Sequence, residues 1–321
     1  MSLFFFNQSY SDFDLYREEV KAWDLEFFQL GQGSFQADAL QFGDQDLMVG
    51  KVYYNKLLLQ NGSAPQNGYT FAVHHQHSAP FLWRYLDFDF DSIIVFPENR
   101  ELHGISQPGH HPLLVTISEK FLEETSHVLG LPEPGKYIEK GSVSQCDPVH
   151  MSRIRQYLYT LCTVVKESQG QLLQPLMEEP YKYHIARLLA LGLANAKSVR
   201  PRKRGFERRR KVVERTIEYI NSDLTVSRSI PELSQVANVD ERTLRNMYYE
   251  HFSLSPQKFF KSYRLNKVRS ALLNSDHLKT KVADIANKHG FWHMGQFAAD
   301  YRLLFGELPS QTLANARSKR G

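Results

Sequence analysis

The sequence predicts an α+β chain of two domains, with a strand-rich front half closed by helices and an all-helical back half. Three observations carry this expectation. At 321 residues the chain exceeds the size at which a single hydrophobic core usually stops growing. Turn-bounded short apolar runs before about residue 117 give way to helical spacing after it. A helical hairpin pattern then occurs twice near the end, in register.

Charge divides the chain at the same place. Residues 1–196 carry 14 Lys+Arg against 23 Asp+Glu, net −9, and residues 197–321 carry 25 against 12, net +13. An acidic front and a basic back imply two tasks, the second facing a polyanion. The only cysteines are Cys146 and Cys162, which excludes a disulfide framework and points to a reducing cytoplasm. No apolar run is long enough to span a membrane, and the start MSLFFFNQSYSDFD has no basic segment of the secretory type, so neither secretion nor membrane insertion is expected.

From Trp23 to Ile117 the runs read as strands of a β-sandwich or small barrel. They are separated by GQGS at Gly31 to Ser34, by Asn61-Gly62 and Asn67-Gly68, and by QPGHHP at Gln107 to Pro112. Phe88 and Phe90 alternate with Asp87, Asp89 and Asp91, a period of two that would put the rings on one sheet face. Ser118 reads as the N-cap of a helix with Phe121, Leu122 and Val128, which ends before LPEPG at Leu131 to Gly135. After Asp147-Pro148, Ile154, Leu158, Leu161 and Val165 recur at helical spacing, and a second amphipathic helix is expected from Pro175 to Ala194. This pair suits either a contact with a second copy or a cover over its own sheet. Residues 197–210 then read as a solvated basic linker, within a run to Lys211 that holds nine basic residues in fifteen.

The back half, residues 211–321, opens on a helix with Val213, Ile217 and Ile220 on one face. In SIPELSQVANVDERTLRNMYYEHF, Ser229 caps a helix with Pro231 in its first turn, and Asn238 sits where the backbone must turn left-handed. Asp240 caps the next helix, whose inward face is Leu244, Met247, Tyr248 and Phe252. The pattern returns in KVADIANKHGFWHMGQFAADYRLLF. Leu233, Asn238 and Val239 recur 52 residues later as Ile285, Gly290 and Phe291, and Leu244, Tyr248, Phe252 and Pro256 recur 53 later as Phe297, Tyr301, Phe305 and Pro309. One residue is therefore inserted in the second turn. Asn238 matching Gly290 supports a positive φ at both. A helix opening at Ser255-Pro256, with Leu265, Val268 and Leu272 inward, separates the units.

Two such units in register, joined by a capped helix, resemble the DNA-binding domain of the AraC/XylS family of bacterial transcription regulators. The likeness runs through LSQVANVDERTLRNMYYEHFSLSPQKFFKSYRLNKVRSALL and IANKHGFWHMGQFAADYRLLFGELPS and covers about residues 211–313. It implies seven helices and two recognition helices in successive major-groove segments. By architecture the front half, residues 1–196, resembles that family's cupin-like β-barrel with dimerisation helices. The resemblance implies an effector-responsive activator, a homodimer that binds promoter or operator DNA and a small-molecule effector and meets RNA polymerase, without a cofactor or catalytic residues.

Arg242, Arg245, Asn246 and Tyr249 recur at steps of three and four opposite Leu244 and Tyr248. Arg matches guanine O6/N7 and Asn matches adenine N6/N7, so Arg242, Arg245 and Asn246 are the candidate base readers. The resemblance places base-contacting residues there too. In the second unit Gly295, Ala298 and Ala299 occupy the matching positions, flanked by His293, Gln296 and Arg302. Small residues allow a close backbone approach, and Arg302 suits a phosphate. Tyr53, Tyr54, Phe71, Trp83 and Tyr85 supply aromatic walls for an apolar pocket, of which Tyr54, Phe71, Trp83 and Tyr85 are the candidate effector contacts. The competing reading is a cupin-type metal enzyme with an accessory DNA-binding domain. It rests on His75 and His77 two apart on a strand, with Glu98, His103, His110 and His111 downstream. A third, an architectural protein indifferent to sequence, fits the charge but leaves Asn246 and the acidic front half without a role.

Overall fold

The computed structural model describes residues 3–12, 14–16, 23–66, 68–75, 78–79, 81–83, 89–97, 102–199, 206–226, 228–276 and 278–315. They form two compact units. One comprises residues 1–27, 36–55 and 60–202, the other 28–35, 56–59 and 203–321.

The first unit is rich in sheet. Its strands are β1 (Phe4–Tyr10), β2 (Asp24–Gln29), β3 (Ala37–Gly43), β4 (Leu47–Tyr54), β5 (Leu58–Ser63), β6 (Gly68–His74), β7 (Phe81–Trp83), β8 (Ser92–Val95), β9 (Leu102–Ser106), β10 (Pro112–Ser118), β11 (Val143–Gln145) and β12 (Lys197–Ser198), with β2 and β5 running on into the segments of the second unit. Eight form a sheet ordered β1-β3-β4-β10-β6-β8-β11-β12, and four form another ordered β2-β5-β9-β7. Val49, Val115 and Phe71 lie abreast on β4, β10 and β6 and are completely buried. They belong to a core completed by helices α1 (Glu119–Val128), α2 (Pro148–Glu167) and α4 (Glu179–Ala194), with a short α3 (Leu173–Leu176) between the last two. Burying each such side chain is worth about 1.5–3 kcal/mol.

The starts of α1 and α2 follow their caps. Ser118 Oγ accepts from Phe121 N at 3.2 Å, and Asp147 Oδ1 accepts from His150 N at 2.9 Å. Met151, Ile154, Leu158, Leu161, Cys162 and Val165 of α2 are all buried against the chain's own core. Lys182 of α4 is buried as well, its Nζ 2.8 Å from Asp44 Oδ2 and 3.4 Å from Asp46 Oδ2.

Three local expectations change. The alternation at Phe88 and Phe90 does not make a strand at its described end, since Asp89 Oδ1 accepts from Asp91 N (3.1 Å) and Ser92 Oγ (2.9 Å). This turn leaves Phe90 49% exposed and starts β8 only at Ser92. The helix expected from Pro175 is broken, and its long part begins at Glu179. Of residues 197–210, expected to be linker, Lys197–Ser198 pair with Ser144 and Gln145, and the last five are helical; residues 200–205 lie outside the described residues.

The second unit holds seven helices among its described residues: α5 (Phe206–Ser222), α6 (Ile230–Ala237), α7 (Glu241–Phe252), α8 (Pro256–Leu273), α9 (Val282–Lys288), α10 (Met294–Phe305) and α11 (Pro309–Asn315). Tyr248 and Tyr301, the duplicated positions, are fully buried. Each hydroxyl meets a threonine from a neighbouring helix, Thr216 for Tyr248 and Thr312 for Tyr301, so the polar end of each ring is satisfied inside the core. Residues 28–35 also belong to this unit. Gln29 N donates to Asn266 Oδ1 (2.9 Å), Asn266 Nδ2 donates to Gln29 O (2.8 Å), and Phe28 stacks on Tyr263 with ring centres 4.7 Å apart.

Candidate nucleic-acid interface

The first helix-turn-helix is built by local chemistry. Ser229 and Glu232 form a reciprocal capping box at the start of α6, with Glu232 Oε2 accepting from Ser229 N at 2.7 Å. The helix ends on Asn238 at φ 55° and ψ 48°, the left-handed backbone that its sequence position requires. Asp240 caps α7 through Oδ1 to Thr243 N (2.8 Å), and Thr243 Oγ1 donates to Oδ2 (2.6 Å). The Thr243 hydroxyl bond and then its amide bond hold the Asp240 carboxyl below its usual range. With Leu244, Tyr248 and Phe252 buried, Arg242, Arg245, Asn246 and Tyr249 are all exposed, Tyr249 by 67%. Arg245 Nη2 lies 3.3 Å from Glu241 Oε2, one turn back, which orients the guanidinium on that face.

The second unit repeats the geometry. Gly290 has φ 77°, and a Cβ there would fall 2.8 Å from Thr225 O and 2.9 Å from Leu224 O. Only glycine fits both the backbone and the space. His293 occupies the N-cap position of α10, yet its side chain makes no capping bond. Phe297, Tyr301, Leu304 and Phe305 are buried. His293, Gln296 and Arg302 are exposed, together with Gly295 and Ala299, and Ala298 is half-buried. Sequence reasoning passed over Trp292, which is 64% exposed immediately before this helix. The signal was the change of repeat spacing from 52 to 53 residues between Phe291 and Phe297.

A cavity of about 50 Å³ lies in the first unit between the two sheets, lined by Tyr16, Tyr54, Gln60, His74, Phe81 and His110 among others. Tyr16 and Tyr54 hydroxyls are 2.8 Å apart. His110 stacks on Phe81 with centres 4.8 Å apart, and its Nδ1 lies 3.2 Å from Ala79 O. Burial pushes His74 down to about 4 and His110 down to about 3, so both rings are neutral near pH 7.

Of the expected effector contacts, Tyr54 lines this cavity. Phe71 does not: Ala72 and His74 of β6 face it, so the alternation of the strand sends Phe71 and Val73 into the core on the opposite side. Trp83 is completely buried behind the wall, edge-on to Phe96 at 5.0 Å and stacked near Phe81 at 6.2 Å. Tyr85 lies outside the described residues, as do His77 and Glu98. Tyr53 points away from the cavity into a surface groove. His75 Nδ1 is 3.3 Å from His111 Nε2, and His103 Nδ1 bonds Asn61 Oδ1 at 2.8 Å. No group of three or more metal-capable side chains occurs among the described residues, and no described helix is long and apolar enough to cross a membrane.

Residues 233–315 match a family described as a helix-turn-helix domain. The chain is 30% identical over 136 residues to the XylDLEGF operon transcriptional activator 2 of Pseudomonas putida, covering 42% of this chain and 87% of that protein. It is 25% identical over 170 residues to activator 1 of the same operon and organism, spanning about half of each chain, 53% and 52%. A solved structure of "a probable AraC family transcriptional regulator" from Rhodopseudomonas palustris is 33% identical over 33% of this chain and 96% of that one, with TM-score 0.30. The chain belongs to the AraC/XylS family and is a DNA-binding transcription regulator.

Proposed function

We propose that the chain is an effector-responsive activator that reads two successive major-groove segments of double-stranded DNA, one with α7 and one with α10. The observation that carries this reading is the exposed row of Arg242, Arg245, Asn246 and Tyr249 on a helix anchored by buried Leu244 and Tyr248. The same fold recurs around α10, where His293, Gln296 and Arg302 are the polar contacts, Arg302 to a phosphate. In this reading the sheets of the front half form a cupin-like barrel, and the small-molecule effector enters the cavity beside Tyr54, His74 and His110. The protein acts in the cytoplasm as a homodimer through α2 and α4, with RNA polymerase as its further partner. No cofactor has a role.

The test is selection of binding sites from random duplex DNA by the full chain at one fixed salt concentration. Two short base patterns about one helical turn apart are expected. A single pattern, or none, would sink the paired reading.

A further inference from the structure

The two turns differ by the inserted residue. From the left-handed residue to the N-cap the first turn runs Asn238, Val239, Asp240, whereas the second runs Gly290, Phe291, Trp292, His293. Phe291 takes the place of Val239, so the added length presents an indole at the mouth of α10. Trp292 is 64% exposed, while Trp23 and Trp83 are 8% and 0% exposed. A single exposed apolar side chain is common on protein surfaces. Here it stands beside a second choice that folding does not demand. Among the described residues, a Cβ added at Gly295 would meet no atom within 4 Å beyond its chain neighbours and its own helix backbone, so packing does not require glycine there, and glycine in a helix is unfavourable by about 1 kcal/mol relative to alanine. Ala299 follows four residues on and is exposed. Positions 295 and 299 stand where the first unit carries Arg242 and Asn246, and together with the inserted Trp292 they combine a large apolar surface with a backbone left uncovered.

Resting on the reading that α10 enters a major groove, we propose that Trp292 is a specificity-determining DNA contact. Its indole packs on the C5-methyl group of thymine, and Gly295 and Ala299 let the helix backbone approach the base edges. The methyl is the one apolar feature of the major groove, so contact with it distinguishes thymine from cytosine and purines without a hydrogen bond. The two units then read by different chemistry, the first through hydrogen bonds and the second through apolar surface.

Replacing thymine by deoxyuridine removes that methyl and leaves the hydrogen-bonding edge unchanged. The full chain is titrated against its selected site at fixed salt, with deoxyuridine placed at each thymine in turn. Positions whose base preference is relaxed by Asn246→Ala mark the first unit's segment. In the other segment, one or two replacements should weaken wild-type binding about fourfold, the equivalent of about 0.8 kcal/mol for one buried carbon. Trp292→Ala should bind the thymine site more weakly and lose its sensitivity to those replacements, and Trp292→Phe should keep part of it. Equal thermal midpoints for the three proteins will show that the fold is intact. Specific binding by the wild type with no deoxyuridine effect in the second segment, or with Trp292→Ala as sensitive as wild type, overturns the proposal. Absence of any second segment overturns instead the reading on which it rests, and the proposal with it.

Discussion

Asn246 and Arg242 stand exposed on α7 because the residues beside them, Leu244 and Tyr248, are held in the core. Losing one good bidentate contact is worth about 1–3 kcal/mol on the correct base pair. Asn246→Ala and Arg242→Ala are each expected to weaken operator binding roughly tenfold or more and to relax preference at one or two base pairs. Arg302→Ala should weaken all sequences alike and lower the slope of log affinity against log salt by about one counterion, read in a salt titration. In the front unit the neutral His74 and His110 give a different signature. Burial places their folded values near 4 and 3, below the ordinary histidine value of about 6.5, so the unfolded chain binds protons first as pH falls. Their contribution to stability is complete above about pH 6.5 and declines as pH drops towards 4. His110→Gln should flatten that acid limb in thermal melts from pH 7 to 4.5, and an unchanged limb would show that other groups carry it. The exposed face of α7 was legible because the buried stripe opposite it has helical period. The cavity wall was not: all seven residues of β6, GYTFAVH, are buried, so no alternation of polar and apolar residues told Phe71 from Ala72.

The starts of α6, α7 and α8 follow from caps, and the two helix-turn-helix turns from left-handed residues, that the sequence displays openly. Gly290 shows how narrow the tolerance is. An alanine there meets two carbonyl oxygens within 2.9 Å and an unfavourable backbone, and Gly290→Ala is expected to lower stability by about 1–3 kcal/mol in urea unfolding. Gly295→Ala, in open space, should leave it unchanged or slightly raised. Elements of the front half were harder to bound, because side-chain bonds of modest reach override periodicity there. Asp89 makes a turn where alternating phenylalanines suggest a strand. A buried charge was also hidden: Lys182 looks like a surface residue of an amphipathic helix until Asp44 and Asp46, over 130 positions away, close around it. Lys182→Met leaves two carboxylates without their cation and should cost about 3–5 kcal/mol, far more than an exposed pair.

Across the whole molecule, the opposed charges of the two halves, −9 and +13, were visible at once and accord with a regulator whose back half meets DNA. A pairing surface was less legible, because the apolar stripe of α2 packs on its own core. In the proposed homodimer the contact would use the other side of the helices, where Val149 and Tyr181 are 62% and 46% exposed. Light scattering of the full chain at micromolar concentration is expected to give a dimer mass that falls to the monomer in Val149→Arg/Tyr181→Arg, with an unchanged thermal midpoint. The reciprocal amide bonds between Gln29 and Asn266 have a consequence for deletion mapping. A polypeptide beginning at residue 203 carries every described helix of the second unit but lacks residues 28–35, so Asn266 Oδ1 and the Leu304 carbonyl lose the donors that Gln29 supplies, while Asn266 Nδ2 keeps only its bond to Ser262 O. Removing that segment opens these groups to water and strips Tyr263 of the buried Phe28 ring stacked on it, a loss of about 1.5–3 kcal/mol of apolar burial. Such a fragment is expected to unfold at lower urea than the second unit of the full chain and to bind DNA more weakly for that reason, and adding a synthetic peptide of residues 23–36 should restore part of both, which no loss of effector sensing could imitate.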